Sequence, residues 1–233
     1  MSVAAVQATA WRAGSGGGGG GGGPELRWLA VPVGYLAASV PFSYVVARLT
    51  RGVDLRAHGT GTVSGTGLYE VAGFGPLAVA GVFEVAKGAV GPLLARGGDP
   101  RLAAAAGAAA VAGHNWSPWL RGAGGRGLSP ALGALLVGAP AGAAVLLGGM
   151  VAGRLAGETA LGTVAADAAL VPVAGRVHGP DASRFAAAVL APMVVKRLVG
   201  NGPPARRTAA TYLWRALFDR DTRRAPSLVG GGR

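Results

Sequence analysis

Two glycine-rich segments with cations beside them hold the residues best suited to chemistry. The first runs Arg56-Ala57-His58-Gly59-Thr60-Gly61-Thr62-Val63-Ser64-Gly65-Thr66-Gly67, alternating glycine with hydroxyl residues. The second begins Gly113-His114-Asn115-Trp116 and closes on Gly124-Gly125-Arg126-Gly127. Glycine lets backbone N–H groups approach an anion, and hydroxyls add further donors. Arg56, His114 and Arg126 add charge, Arg as a two-pronged clamp. The chemistry this suits is the binding of phosphate groups. The first loop matches neither the dinucleotide fingerprint nor the Walker pattern, because the third glycine and the Lys-Ser/Thr ending are missing. The plain alternative for both segments is a flexible, positively charged loop.

A third feature is Glu84 and Lys87, three residues apart in an otherwise apolar stretch. Charges inside a membrane segment are costly and usually serve function. The alternative is a structural i,i+3 ion pair lining a helix bundle. Other chemistries lack residues. There is no Gly-x-Ser-x-Gly elbow. The His-x4-Asp pattern of soluble acyltransferases fails, since Val63, Trp119 and Ser183 stand five places after His58, His114 and His178. With no cysteine and three scattered histidines, no metal site and no cofactor is expected. Acyl transfer by this chain would therefore go directly from an activated donor rather than through a covalent enzyme intermediate.

The elements that must position these residues are membrane helices. Mean hydropathy is +0.42 and hydrophobic residues make up 51% of the chain. Charged residues are only 14%, against about 25% in a soluble domain. Residues 28–47 and 128–150 contain no charge at all, and about 20 apolar residues span a bilayer as a helix. The fold class expected is all-α, a polytopic membrane helix bundle of about seven segments: 28–49, 74–95, 102–112, 128–138, 143–156, 163–172 and 185–199. The short ones must tilt or re-enter behind neighbouring helices. Loops are expected at 50–73, 96–101, 113–127, 139–142, 157–162 and 175–183. Residues 1–27, with their unbroken run Gly16–Gly23, read as a tether without signal-peptide character. Residues 28–199 read as the membrane domain and 200–233 as a basic cytoplasmic tail. Within that tail, 208–218 reads either as a short amphipathic helix on the membrane surface, with Tyr212, Leu213, Trp214 and Leu217 as its apolar contacts, or as a solvated tail.

The formal net charge is +12. The cations flank apolar blocks instead of interleaving with aromatics on one face, so no nucleic-acid partner is expected. They fit cytoplasmic loops under the positive-inside rule. Seven crossings then place the N-terminus outside and the C-terminus in the cytoplasm, with both glycine-rich segments facing charged metabolites.

Four motifs in order resemble the bacterial acyl-phosphate:glycerol-3-phosphate acyltransferases. They are Ser39-Val40-Pro41-Phe42, Asp54-Leu55-Arg56-Ala57-His58-Gly59-Thr60-Gly61, Glu84-Val85-Ala86-Lys87-Gly88 and the 113–127 segment. The resemblance covers about residues 28–198. It implies an integral enzyme of the cell membrane that moves a fatty acyl group from acyl phosphate to the sn-1 hydroxyl of glycerol 3-phosphate. The products are lysophosphatidic acid and inorganic phosphate, and no coenzyme A, metal or other cofactor is involved. By the same resemblance, Arg56, Lys87 and Ser39 are catalytic. Gly59, Thr60, Gly61, His114, Asn115, Gly124, Gly125, Arg126 and Gly127 bind substrate. The chain also departs from the family pattern. Thr62 and Gly67 stand where asparagines are expected, Glu70 replaces an arginine, and Arg126 replaces a lysine. A late Ser-Leu-x-Ser motif reads Ala160-Leu161-Gly162-Thr163, and a late His/Asn pair falls on Ala191 and Val194. Two other functions stay open on the sequence: a degenerate relative that binds lipid or a partner without turnover, and a small-solute transporter, which the absence of clear inverted repeats opposes.

Overall fold

The computed structural model describes residues 27–58, 62–204 and 206–219. The glycine run and the residues Gly59, Thr60 and Gly61 lie outside the described residues. The described chain is helical, with no strand among the described residues. Its helices are α1 (Ala30–Ser39), α2 (Phe42–Arg51), α3 (Gly65–Ala72), α4 (Phe74–Leu94), α5 (Pro100–Asn115), α6 (Leu128–Gly138), α7 (Pro140–Leu155), α8 (Thr159–His178), α9 (Pro180–Val199) and α10 (Ala209–Phe218). Short 3₁₀ turns form at Leu55–Ala57 and Pro118–Leu120.

Each of the seven expected membrane segments coincides with helix. Three stretches are long and apolar enough to cross a bilayer: Ala30–Arg51, Phe74–Leu94 and Thr159–His178. Leu128–Gly138 and Pro140–Leu155 are shorter apolar helices. Large apolar side chains such as Leu36, Leu49, Phe74, Val82 and Leu155 point outward, while the interior is lined largely by Ala and Gly. That inside-out distribution suits a lipid surround, where close backbone packing rather than water expulsion holds helices together.

Several boundaries differ from the sequence expectation. The first segment is broken in two at Val40-Pro41, because proline biases the residue before it away from the α region and Val40 is extended at φ −62°, ψ 120°. The sixth segment does not stop at Pro172 but runs on to His178. One lost backbone rung does not end a helix whose neighbours shield it from competing water. The expected loop 50–73 contains α3, because the Ser64 hydroxyl accepts from Gly67 N–H and caps the helix at 3.2 Å. His178, at the end of α8, accepts from the otherwise orphaned Ala141 N–H at the start of α7.

Glycines bring α4 close to α6 and α7 close to α8. A Cβ at Gly88 would overlap the Pro130 backbone, and one at Gly133 would overlap Val85 O. Gly149 and Gly153 meet Gly162 in the same way. Gly148, by contrast, faces open space. Gly133→Val is therefore expected to destabilise the protein in detergent by more than the ~1–3 kcal/mol typical of overpacking, seen as a lower melting temperature, while Gly148→Ala leaves the melting temperature unchanged or slightly raised. Equal melting of the two variants would refute this packing assignment.

Candidate functional site

The site begins at the Val40-Pro41 break. A helix interrupted inside a dry bundle leaves backbone groups that nothing but protein can satisfy. Lys87 donates to Val40 O. The Glu84 carboxylate accepts from Ser43 N–H at 3.0 Å and from the Ser43 hydroxyl at 3.1 Å. It thereby caps α2 with a negative charge at the helix's positive end. Glu84 and Lys87 pair at 2.7 Å, each only 4% exposed. His114 Nδ1 reaches the same carboxylate at 3.1 Å. Lys87 also lies over the Phe42 ring, which stacks on Phe83.

From His114 the chain turns through 116–127 and comes back onto the end of α5. Gly125 N–H donates to His114 O. A Cβ on Gly124 would overlap His114 O, and one on Gly125 would overlap His114 Nε2. Gly127 has φ +81° and abuts Val111 and the Asn115 amide. These glycines are thus required by contact and, at Gly127, by backbone conformation. Asn115 is fully buried and donates from Nδ2 to Pro192 O at 2.8 Å, fixing α5 to α9. Ser117 donates to Ser39 O at 2.7 Å, and Trp119 Nε1 donates to the Ser39 hydroxyl at 2.9 Å. The Ser39 hydroxyl in turn donates to Leu36 O.

Arg126 leaves the turn toward α9 and the C-terminal helix. Its Nε reaches both oxygens of Asp219, at 2.7 and 2.8 Å, and its Nη1 donates to Lys196 O at 3.3 Å. Lys196 is 1% exposed, donates to Gly122 O at 3.1 Å and lies over the Trp116 ring. Among the described residues no carboxylate pairs with it. Arg56 stands apart. It is 39% exposed, pairs with Asp54 at 2.7 Å and covers the Tyr44 ring. The Arg56 guanidinium holds the Asp54 carboxyl down at about 2, through hydrogen bonds to it, so this pair stays ionised well into acid. Among the described residues no hydrogen bond or ion pair joins Arg56 to the Glu84 network.

The structure thus gathers Lys87 and His114 on Glu84, with Gly124 and Gly125 against His114. It places Asn115 with Gly127, and Ser39 with the 117–119 turn. Glu84 was visible in the sequence as half of a pair, but its roles as cap for α2 and partner of His114 depend on tertiary placement. Lys196 and Asp219 were missed as site residues. One reads as a flanking cation, the other as an acid in a basic tail.

Residues 28–201 match the family model described as glycerol-3-phosphate acyltransferase. That match covers most of the chain. The chain belongs to the glycerol-3-phosphate acyltransferase family. A glycerol-3-phosphate acyltransferase of Halalkalibacterium halodurans is 38% identical over 135 residues, which are 56% of this chain and 65% of that protein. One from Myxococcus xanthus is 39% identical over 159 residues, 62% of this chain and 83% of the relative. Another, from Dehalococcoides mccartyi strain 195, is 38% identical over 150 residues, 63% of this chain and 64% of its own length. The chain therefore spans just under two thirds of the Halalkalibacterium and Dehalococcoides proteins. The fold resembles the crystal structure of PlsY, an integral membrane glycerol 3-phosphate acyltransferase, in its glycerol 3-phosphate form. The TM-score is 0.66 at 24% identity, over 76% of this chain and 94% of that one. The helical membrane bundle read from composition is thus the fold of this family.

Because Glu84 serves both Lys87 and the α2 terminus, Glu84→Leu is expected to lose about 3–5 kcal/mol, the cost of stranding one charge of a buried pair. The double variant Glu84→Leu/Lys87→Met should melt well above Glu84→Leu alone. If the single and double variants melt alike, the pair is not the element that holds this break.

Proposed function

We propose that this chain is a membrane acyltransferase acting on glycerol 3-phosphate with acyl phosphate as donor. The glycerol 3-phosphate hydroxyl oxygen attacks the acyl carbon, and the bond from that carbon to the phosphate oxygen breaks. Phosphate leaves with the electron pair, the hydroxyl proton passes to a phosphate oxygen, and lysophosphatidic acid remains. No protein nucleophile or dedicated base is required. Both substrates are phosphate anions, so the protein's task is to hold them and offset the charge that builds on the departing phosphate.

The observation that carries the reading is the 124–127 turn. In a chain matched to the family over 28–201, this turn has glycines that tolerate no side chain and presents Arg126 beside buried Lys196. Arg56, exposed at the mouth of the other glycine-rich segment, serves as the second anion clamp, with Gly59, Thr60 and Gly61 following it in sequence. Lys87 and His114, both held by Glu84, set the end of α5 behind the turn. Ser39 acts by fixing Trp119 and Ser117 beneath it. The assay of purified protein with palmitoyl phosphate and glycerol 3-phosphate should release phosphate as lysophosphatidic acid forms, and Arg56→Ala should cut the rate at least ~10²-fold. Turnover with palmitoyl-CoA and none with the acyl phosphate would overturn the donor assignment.

The same reading places the protein in the cell membrane, with its N-terminus outside and the 50–73 and 113–127 segments and the C-terminus in the cytoplasm. The chain has no cysteine of its own, so introduced ones report cleanly. Thr62→Cys and Ser227→Cys should both resist a membrane-impermeant maleimide in sealed cells and both react after permeabilisation. Labelling of one alone from outside would refute the arrangement.

A further inference from the structure

Residues beyond 201 lie outside the part of the chain that matches the family, yet those described, 202–204 and 206–219, reach back toward the 124–127 turn. Gly200, at φ +70°, turns the chain out of α9. Arg215, buried on α10, donates to Leu198 O, Val199 O and Gly202 O. It thereby binds the new helix to the open carbonyl end of α9, where orphan acceptors and a negative dipole end await a cation. Asn201 donates to Gly124 O at 3.0 Å. Asp219 Oδ2 then accepts from Arg126 Nε at 2.8 Å, with Oδ1 2.7 Å from the same nitrogen as an ion pair. The contact is half-hidden, with the Arg126 side chain 14% exposed and the Asp219 carboxylate 26%.

The way Arg126 is held matters. Its Nε edge is taken by Asp219 and one Nη1 hydrogen by Lys196 O, while among the described residues no acceptor pairs with Nη2. A guanidinium gripped along its Nε side keeps the outer part of its fork free to meet a phosphate oxygen. The flanking residues Gly125 and Gly127 offer no side chain to steer it. The charge count points the same way. Asp219 offsets Arg126, and buried Lys196 beside them keeps its charge uncompensated, so the seat remains positive.

We infer that Asp219, on the added C-terminal helix, is a positioning residue that orients Arg126 for the phosphate of an incoming substrate. The inference rests on the acyltransferase reading above. It makes the tail a working part of the site that the family-matched region does not supply.

The test uses the full chain, purified in detergent, as wild type, Asp219→Asn, Asp219→Glu, Arg126→Lys and the double variant Arg126→Lys/Asp219→Asn. Asn tolerates the left-handed backbone that Asp219 adopts, at φ 58°, so Asp219→Asn changes the charge without straining the turn. Asp219→Asn should raise the KM for one phosphate substrate about tenfold, the scale of losing an orienting partner behind a ligand-binding group, with kcat less affected and the melting temperature within a few degrees of wild type. Asp219→Glu should recover part of that loss. In the Arg126→Lys background, which lacks Nε, Asp219→Asn should add little. An unchanged KM, or a loss equal in both backgrounds, overturns the inference. Increased activity in Asp219→Asn also overturns it, since Asp219 would then be occupying the substrate's place. Glycerol 3-phosphate binding by calorimetry separates the two readings. A wild type that binds without turnover refutes the acyltransferase reading alone, and a weaker Kd in Asp219→Asn then still supports the positioning role. A wild type that neither turns over nor binds refutes both.

Discussion

The structure depends on how a broken helix is satisfied where no water is at hand. Pro41 interrupts what would otherwise be one 22-residue span from Ala30 to Arg51. The break leaves the carbonyls of Ser39 and Val40 and the N–H of Ser43 without helical partners. In a membrane such groups must be answered by protein. Ser117 answers the first, Lys87 the second and Glu84 the third. Two opposite charges on one face of α4, each costly to bury alone, cancel each other while each meets one end of the break. A buried pair has no large net value in itself, but this one decides that α1, α2 and α4 meet in a single register. It also leaves the Glu84 carboxylate facing His114, which sets the end of α5 and so the start of the 116–127 turn.

The turn shows the same logic in glycine. Its glycines are often read as a flexible phosphate cradle, but here three of the four residues from 124 to 127 are fixed by contact with His114, Asn115 and Val111. Rigidity suits the task. A backbone cradle binds an anion well only if its N–H groups already converge and cost little to order. Asn115 extends that fixity to α9 through Pro192 O, so the helix carrying Lys196 keeps a fixed relation to the turn carrying Arg126.

Much of this was legible in residue order because the signals are local. Uncharged runs marked the spans, Ser64 marked a helix start that the loop assignment overlooked, and the Glu84–Lys87 spacing marked a pair whose structural reading holds in the geometry. The conservative departures also explain themselves. Thr163 stands at the last position of the late Ser-Leu-x-Ser pattern and keeps its hydroxyl, which accepts from Arg197 Nη2 at 2.9 Å. Gly162, just before it, lets α8 approach Gly149 and Gly153. What sequence did not disclose was long-range pairing. Nothing local ties Ser39 to Trp119, Asn115 to Pro192, or Arg126 to a carboxylate 93 residues away. The helix at 209–218 shows the limit most plainly. Its amphipathic pattern suggests an apolar face laid on the membrane, which the exposed Tyr212 and Leu213 leave open, but it gives no sign that Thr211 and Arg215 are buried against the bundle. A cation that finds three carbonyls outranks the apolar stripe in deciding which face turns inward.

The junction between family-matched and additional sequence is therefore mechanically tight. Arg197, at the end of α9, donates from Nη2 to Thr163 on α8, while its Nη1 donates to Ala216 O on α10 and pairs with Asp167 on α8. Two residues along, the Val199 carbonyl meets Arg215, and Asn201 then reaches back to Gly124. Cations at the carbonyl end of a helix are stabilised by its dipole. This end gathers Lys196, Arg197 and Arg215, with Arg126 beside them. Such a concentration of like charge would push itself apart in a low-dielectric setting. Asp167 meets Arg197 and Asp219 meets Arg126. Buried Lys196 pairs with no carboxylate among the described residues, so positive charge remains beside the glycine turn. That charge suits the dianionic phosphate of the proposed substrate, and it sits among the contacts that hold the C-terminal helix in place.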